Sequence, residues 1–226
     1  MDKNPKLDNS NLIDAIPHIG KCPNDCIDCY YNNGFYRTLD EPLLPSLEEV
    51  GDKIVRINSG HDSAIDKEHV EWSTRHYKNK FFNTALPVTD FSAPVVVTVN
   101  KNIDDKFIEF SDEECKNIMF VRIKTNTWNL DLVDKAVNYY SSKKTPVVLT
   151  MMRYLHSEHV KNPEDYEYQK NILNSYYKLK EEPFKSKIHG RYQDNVLYCG
   201  VPNGPKFCKE CGNCEKLYNS FIESAP

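Results

Sequence analysis

The stretch IMFVRIKTNTWNLDLVDKAVNYYSSKKTPVVLTMM, residues 118–152, decides how this chain folds. Its opening, Ile118-Met-Phe-Val-Arg-Ile-Lys124, is apolar on both faces except at Arg122 and Lys124, as a buried strand is. Its close, Pro146-Val-Val-Leu-Thr-Met-Met152, reads the same way. Between them Leu132, Val133, Ala136, Val137 and Tyr140 recur at helical spacing, which predicts a helix over 130–141. A strand, a helix and a strand in that order are the unit of a parallel sheet covered by helices.

Upstream the pattern repeats. Pro94-Val-Val-Val-Thr-Val-Asn100 is β-branched throughout, and Phe81-Phe-Asn-Thr-Ala-Leu86 is a short strand stopped by Pro87. Lys53-Ile-Val-Arg-Ile-Asn58 reads as a buried strand ending in the turn Ser59-Gly60-His61-Asp62. A helix over about 65–77 follows, with Ser63 and Asp66 spaced as a capping box. A first strand is expected within 12–19. Downstream, a polar, tyrosine-rich helix is expected from Pro163 to about 181, and Asn195-Val-Leu-Tyr198 is a last strand feeding Cys199. Six or seven parallel strands suit either a partial (β/α) barrel or an open doubly wound sheet. The expected organisation is one barrel-like domain over 1–189 and a short cysteine-rich, metal-binding lobe over 190–226.

With 226 residues the chain holds one good-sized core, and a formal charge of −4 gives no strongly basic grip for nucleic acid. The first residues lack the apolar core of a secretion signal, and no apolar run reaches the roughly 20 residues that span a bilayer. The expectation is a cytoplasmic protein without a membrane partner, in which clustered thiols are metal ligands and not disulfides.

Seven of the eight cysteines fall in two clusters. Cys22, Cys26 and Cys29 are spaced C-x3-C-x2-C. Three thiolates can hold a [4Fe–4S] cube and leave one iron open. Zinc, with His18 or His61 as fourth ligand, is the alternative, although zinc favours paired C-x2-C knuckles. Cys199, Cys208, Cys211 and Cys214 form a complete set of four, suited to a second [4Fe–4S] cluster or to structural zinc. Cys115 stands alone, with nothing in sequence to activate it.

The spacing of Cys22, Cys26 and Cys29, after a first strand and ahead of a parallel series, resembles the signature of the radical SAM superfamily. The resemblance implies a partial (β/α)6-type TIM barrel, a [4Fe–4S] cluster and S-adenosylmethionine (SAM) chelated to the open iron by its amine and carboxylate. It further implies an enzyme that reductively cleaves SAM, supplied with electrons by a protein such as flavodoxin or ferredoxin. The family sets an aromatic residue against the adenine immediately before its third cysteine; here that position is Asp28, and Tyr30 and Tyr31 follow Cys29. Its amine-binding Gly-Gly-Glu segment corresponds to Ser59, Gly60, His61 and Asp62.

Strand-end logic adds Asn100 and Arg122 to the cofactor-binding set, with Thr98, Thr150 and Arg153 behind them. Arg122 and Lys124 point to one face, and if that face is the barrel interior one of them can hold the SAM carboxylate. His156 and His159 join no ligand pattern, and Tyr166, Tyr168, Tyr176 and Tyr177 either stack on bases or cover a core. The competing functions are a zinc-stapled interaction protein and a two-cluster electron carrier. The substrate is not readable, and a short barrel with an open mouth suits a peptide or RNA.

Overall fold

The computed structural model describes residues 4–24, 26, 29, 40–102, 106–170, 175–192 and 196–224. Strands β1 (Leu12–Ala15), β2 (Ile54–Ile57), β3 (Lys80–Thr84), β4 (Val95–Thr98), β5 (Ile118–Thr125) and β6 (Val147–Met151) pair in chain order. β7 (Arg153–Tyr154), β8 (Tyr166–Gln169) and β9 (Tyr176–Leu179) stand apart in a second sheet, and β10 (Leu197–Cys199) returns to the first beside β6. All six pairings of the seven-stranded sheet are parallel. The sheet curls into a half-barrel.

Alternation along the strands makes two apolar layers. One face sends Val55, Ile57, Phe82, Val97, Val121, Ile123 and Leu149 against α2 (Lys67–Thr74) through Val70 and α4 (Leu130–Ser142) through Val133, Ala136 and Tyr140. Short helices α1 (Leu47–Val50) and α3 (Asp112–Cys115) start at full capping boxes on Ser46 and Ser111. The other, interior face carries Leu12, Ile54, Phe81, Val96, Phe120 and Val148 at its lower end. Each such side chain, fully buried, contributes roughly 1.5–3 kcal/mol. Further along the same face the side chains turn polar: Asp14, Arg56, Asn83, Thr98, Arg122, Lys124 and Thr150. Asp14 and Arg56 are neighbours in register and form a buried bidentate pair at 2.7 and 3.2 Å.

The chain closes with α5 (Glu181–Pro183), a π-helical turn (Phe184–His189), α6 (Gly190–Tyr192), β10, α7 (Cys208–Cys211) and α8 (Asn213–Ser224). α8 lies across the interior face, packing Leu217 and Tyr218 into the lower apolar cluster. Residues after 190 thus include both the seventh strand of the main sheet and the helix that fills its hollow.

Two expectations change. No helix spans 163–181 among the described residues: Tyr166-Glu-Tyr-Gln169 and Tyr176-Tyr-Lys-Leu179 alternate with period two and pair antiparallel, Tyr166 opposite Leu179 and Tyr168 opposite Tyr177. Tyrosine favours such pairing, and it outweighs the helix-compatible polar residues. Nor do Ser63 and Asp66 form a capping box. Asp66 caps α2 in the left-handed region at φ 52 without a side-chain bond, while Ser63 is fully buried, its amide donating to Asn83 O at 2.9 Å. No helix among the described residues is long and apolar enough to cross a membrane.

Candidate functional site

The C-terminal ends of the parallel strands gather the polar residues. Cys22, Cys26 and Cys29 lie in the loop after β1, where the Cys29 amide donates to Cys26 O at 3.1 Å. Burial pushes the Cys22 thiol up to about 11, opposed by the Asn24 backbone amide; Asp62, Cys29 and Cys26 add to the rise. Burial also raises Cys26, and Lys124 and Lys101 act against it. The three thiols thus act on one another electrostatically, with Asp62 raising and Lys124 lowering the affinity of Cys26 for its proton.

Asp62 fastens this loop. Its Oδ2 accepts from the Asn24 side chain and the Ala85 amide, both at 2.7 Å; its Oδ1 accepts from the Thr84 hydroxyl at 2.7 Å and the Ala64 amide at 2.9 Å. Four donors fill the acceptor capacity of a carboxylate, so the loop after β2 binds both the cysteine loop and the end of β3. Ser59 is exposed and Gly60 half-buried on the same turn. His61 stacks on His18 at 3.9 Å between ring centroids. Burial, and the His18 charge after it, hold the His61 imidazole at about 4.

Asn100 is fully buried and bridges to β5, donating to Lys124 O and accepting from the Lys124 amide, each at 2.8 Å. Its side chain thereby builds the strand end. Of the two faces left open for Arg122 and Lys124, they occupy the interior one; Lys124 Nζ donates to Lys101 O at 2.6 Å. Tyr30, with Asp28 and Tyr31, lies outside the described residues.

Four buried side-chain atoms lack a hydrogen-bond partner among the described residues: His61 Nδ1, Asn83 Oδ1, Asn126 Nδ2 and Thr150 Oγ1. They sit late in β3 and β6, or just after β2 and β5, at the same edge of the sheet as the first cysteines. Leaving such an atom unpaired costs about 1–3 kcal/mol, and ligands of parallel α/β sheets bind at this edge. Asn126 is fully buried, its Oδ1 accepting from the Tyr154 and Tyr166 hydroxyls at 2.6 and 3.1 Å, so its amide protons are the free half. Asn83 and Asn126 were missed in the sequence; a lone Asn late in an apolar strand, or directly after one, was the available signal. Asn24 gave no signal, since its partner is 38 positions away.

Cys199 ends β10, Cys208 and Cys211 bracket α7, and Cys214 is the second residue of α8. Gly212 closes α7 at φ 65, its amide reaching Cys208 O at 2.8 Å. Cys208 and Cys214 pack on the interior apolar cluster. Burial pushes Cys214 up to about 11, countered by Arg56 and Arg122 and raised further by Cys199 and Cys208. Cys211 is raised by burial and by Cys199 and Cys208. None of the four is in a disulfide. Among the described residues no three His, Cys, Asp or Glu side chains are preassembled to hold a metal ion. The donor chemistry nonetheless suits soft metals: one set of three thiols and one of four, each gathered from a short stretch. Cys115 donates weakly to Phe110 O at 3.9 Å, remote from both sets in the fold.

No family model, no curated protein and no solved structure matches the chain.

Proposed function

We propose that this chain is a radical SAM enzyme built on a partial (β/α)6-type barrel, with a [4Fe–4S] cluster on Cys22, Cys26 and Cys29. One observation carries the reading. The C-x3-C-x2-C loop is fastened through Asp62 to the edge of a curled parallel sheet where the unpartnered buried polar atoms also lie. When bound, such a cluster supplies the electron that cleaves a carbon–sulfur bond of SAM. The chain's own residues bind and orient. Asp62 would receive the SAM amine by exchanging the Asn24 side chain, and Lys124 or Arg122 offers a cation for the carboxylate. His61, with Ser59 and Gly60 on the same turn, Asn100 and Tyr30 complete the SAM pocket. Asn83, Asn126 and Thr150 present unspent hydrogen-bonding groups to the adenosine or substrate.

Cys199, Cys208, Cys211 and Cys214 would hold a second [4Fe–4S] cluster. Zinc is the second reading there, favoured by the left-handed Gly212 turn next to Cys211. A flavodoxin or ferredoxin is the reductant, and an open half-barrel suits a peptide or RNA substrate in the cytoplasm. Anaerobic purification with iron, sulfide and zinc analysis tests the proposal. Brown protein with the broad visible absorption of thiolate-bound iron supports it; colourless protein with stoichiometric zinc and no sulfide refutes it.

A further inference from the structure

Among the described residues Arg122 is a cation without a counter-ion. It is half-buried on the interior face of β5, its guanidinium 5.8 Å from the Phe120 ring centroid. Among the described residues its side chain has no carboxylate or hydrogen-bond partner, while its carbonyl accepts from the Val99 amide at 3.0 Å. A charge withdrawn from water without a partner is costly, so an anion belongs on this face. Arg56, on the same face, differs: the Asp14 carboxylate already neutralises it.

Register and packing say where that anion sits. Arg122 is level with Val148, and Val148 with Leu197 of the strand that ends in Cys199. From the hollow of the sheet, α8 packs on Phe120 and Val148, and Cys208 and Cys214 pack on the same cluster. Cys214 stands in the first turn of the 12-residue α8, where unpaired amides favour a negative sulfur. Lys124, one pleat further along β5, instead donates its Nζ to Lys101 O.

We propose that Arg122 is the counter-charge of the C-terminal cysteine set, facing Cys214 and offsetting the negative charge that metal-bound thiolates bring onto the interior face. Four thiolates on a divalent ion leave a net charge of about −2 close to buried apolar side chains. This inference rests on Cys199, Cys208, Cys211 and Cys214 being a metal site, and not on SAM chemistry. It gives Arg122 to that site and leaves Lys124 for the SAM carboxylate.

The test is anaerobic Co2+ titration of the full chain with Cys22, Cys26 and Cys29 replaced by Ala, so that the C-terminal thiols are the ligands. A thiolate-to-cobalt charge-transfer band is expected. Arg122→Gln should weaken Co2+ binding about tenfold or more, and Arg122→Lys should restore most of it. Thermal melts of each variant show whether the fold is kept. Equal affinity with and without Arg122→Gln overturns the inference. So does a Lys variant as weak as the Gln variant, because charge would then not be the contribution. Absence of any cobalt band removes the four-cysteine site itself, a separate failure that the other outcomes do not mimic.

Discussion

Asp62 shows how much one side chain organises at the strand ends. Its carboxylate ties Asn24, Ala64, Thr84 and Ala85 together, and three of these belong to different segments. Asp62→Asn replaces an acceptor by an amide that turns a donor toward backbone N–H groups. Loss of charge-assisted bonds should cost about 1.5–3 kcal/mol of stability, measured by urea denaturation, and weaken SAM binding with it. His61 makes a second prediction at this scale. It is held at about 4 when folded against 6.5 when free, so between these values the unfolded chain takes up a proton that the folded chain refuses. Stability is therefore fully present above pH 6.5 and falls as pH drops toward 4. Urea midpoints recorded across that window should show this slope, and His61→Gln should flatten it. An unchanged slope would mean that buried His61 is not the group that resists protonation.

At the scale of elements, α8 is the one that turns an open sheet into a filled half-barrel. Leu217→Ala removes a side chain packed among Ile54, Phe81 and Val148, and should cost about 2–5 kcal/mol, read as a lower urea midpoint. A loss below 1 kcal/mol would mean that α8 is not docked on the interior face. The strands were legible because they are apolar on both faces, a pattern that survives without knowing their partners: Val95–Thr98 and Val147–Met151 fall inside the expected segments. The tyrosine-rich segment was not legible as strands. Its four-residue runs alternate too briefly to outweigh the polar residues, and the pairing of β7 and β8 with β9 is a tertiary fact. At the site, the cysteine sets could be read because thiol spacing is itself the signal. The roles of Asp14, Arg56 and Asn24 depend on partners far away in sequence, which no local pattern carries.

At the scale of the whole molecule, two cysteine sets share one hollow sheet. The first lies at the strand ends beside Asp62, the second against the interior cluster under α8. They should therefore fail in different ways. Replacing Cys22, Cys26 and Cys29 with Ala should abolish SAM cleavage and leave the metal of the C-terminal set in place. Replacing Cys208, Cys211 and Cys214 should lower thermal stability if that set holds a metal as proposed, because metal-binding free energy there would be folding free energy. A second triple variant that keeps all its metal would refute that ligand assignment. The EPR spectrum of the anaerobically reduced protein, with and without SAM, separates a radical SAM enzyme from an electron carrier. If Cys22, Cys26 and Cys29 hold a cluster with one open iron, as proposed, the signal should change when SAM binds, with 5′-deoxyadenosine and methionine forming slowly under dithionite. A fully loaded, reduced cluster whose signal ignores millimolar SAM would contradict the enzyme reading and leave an electron carrier.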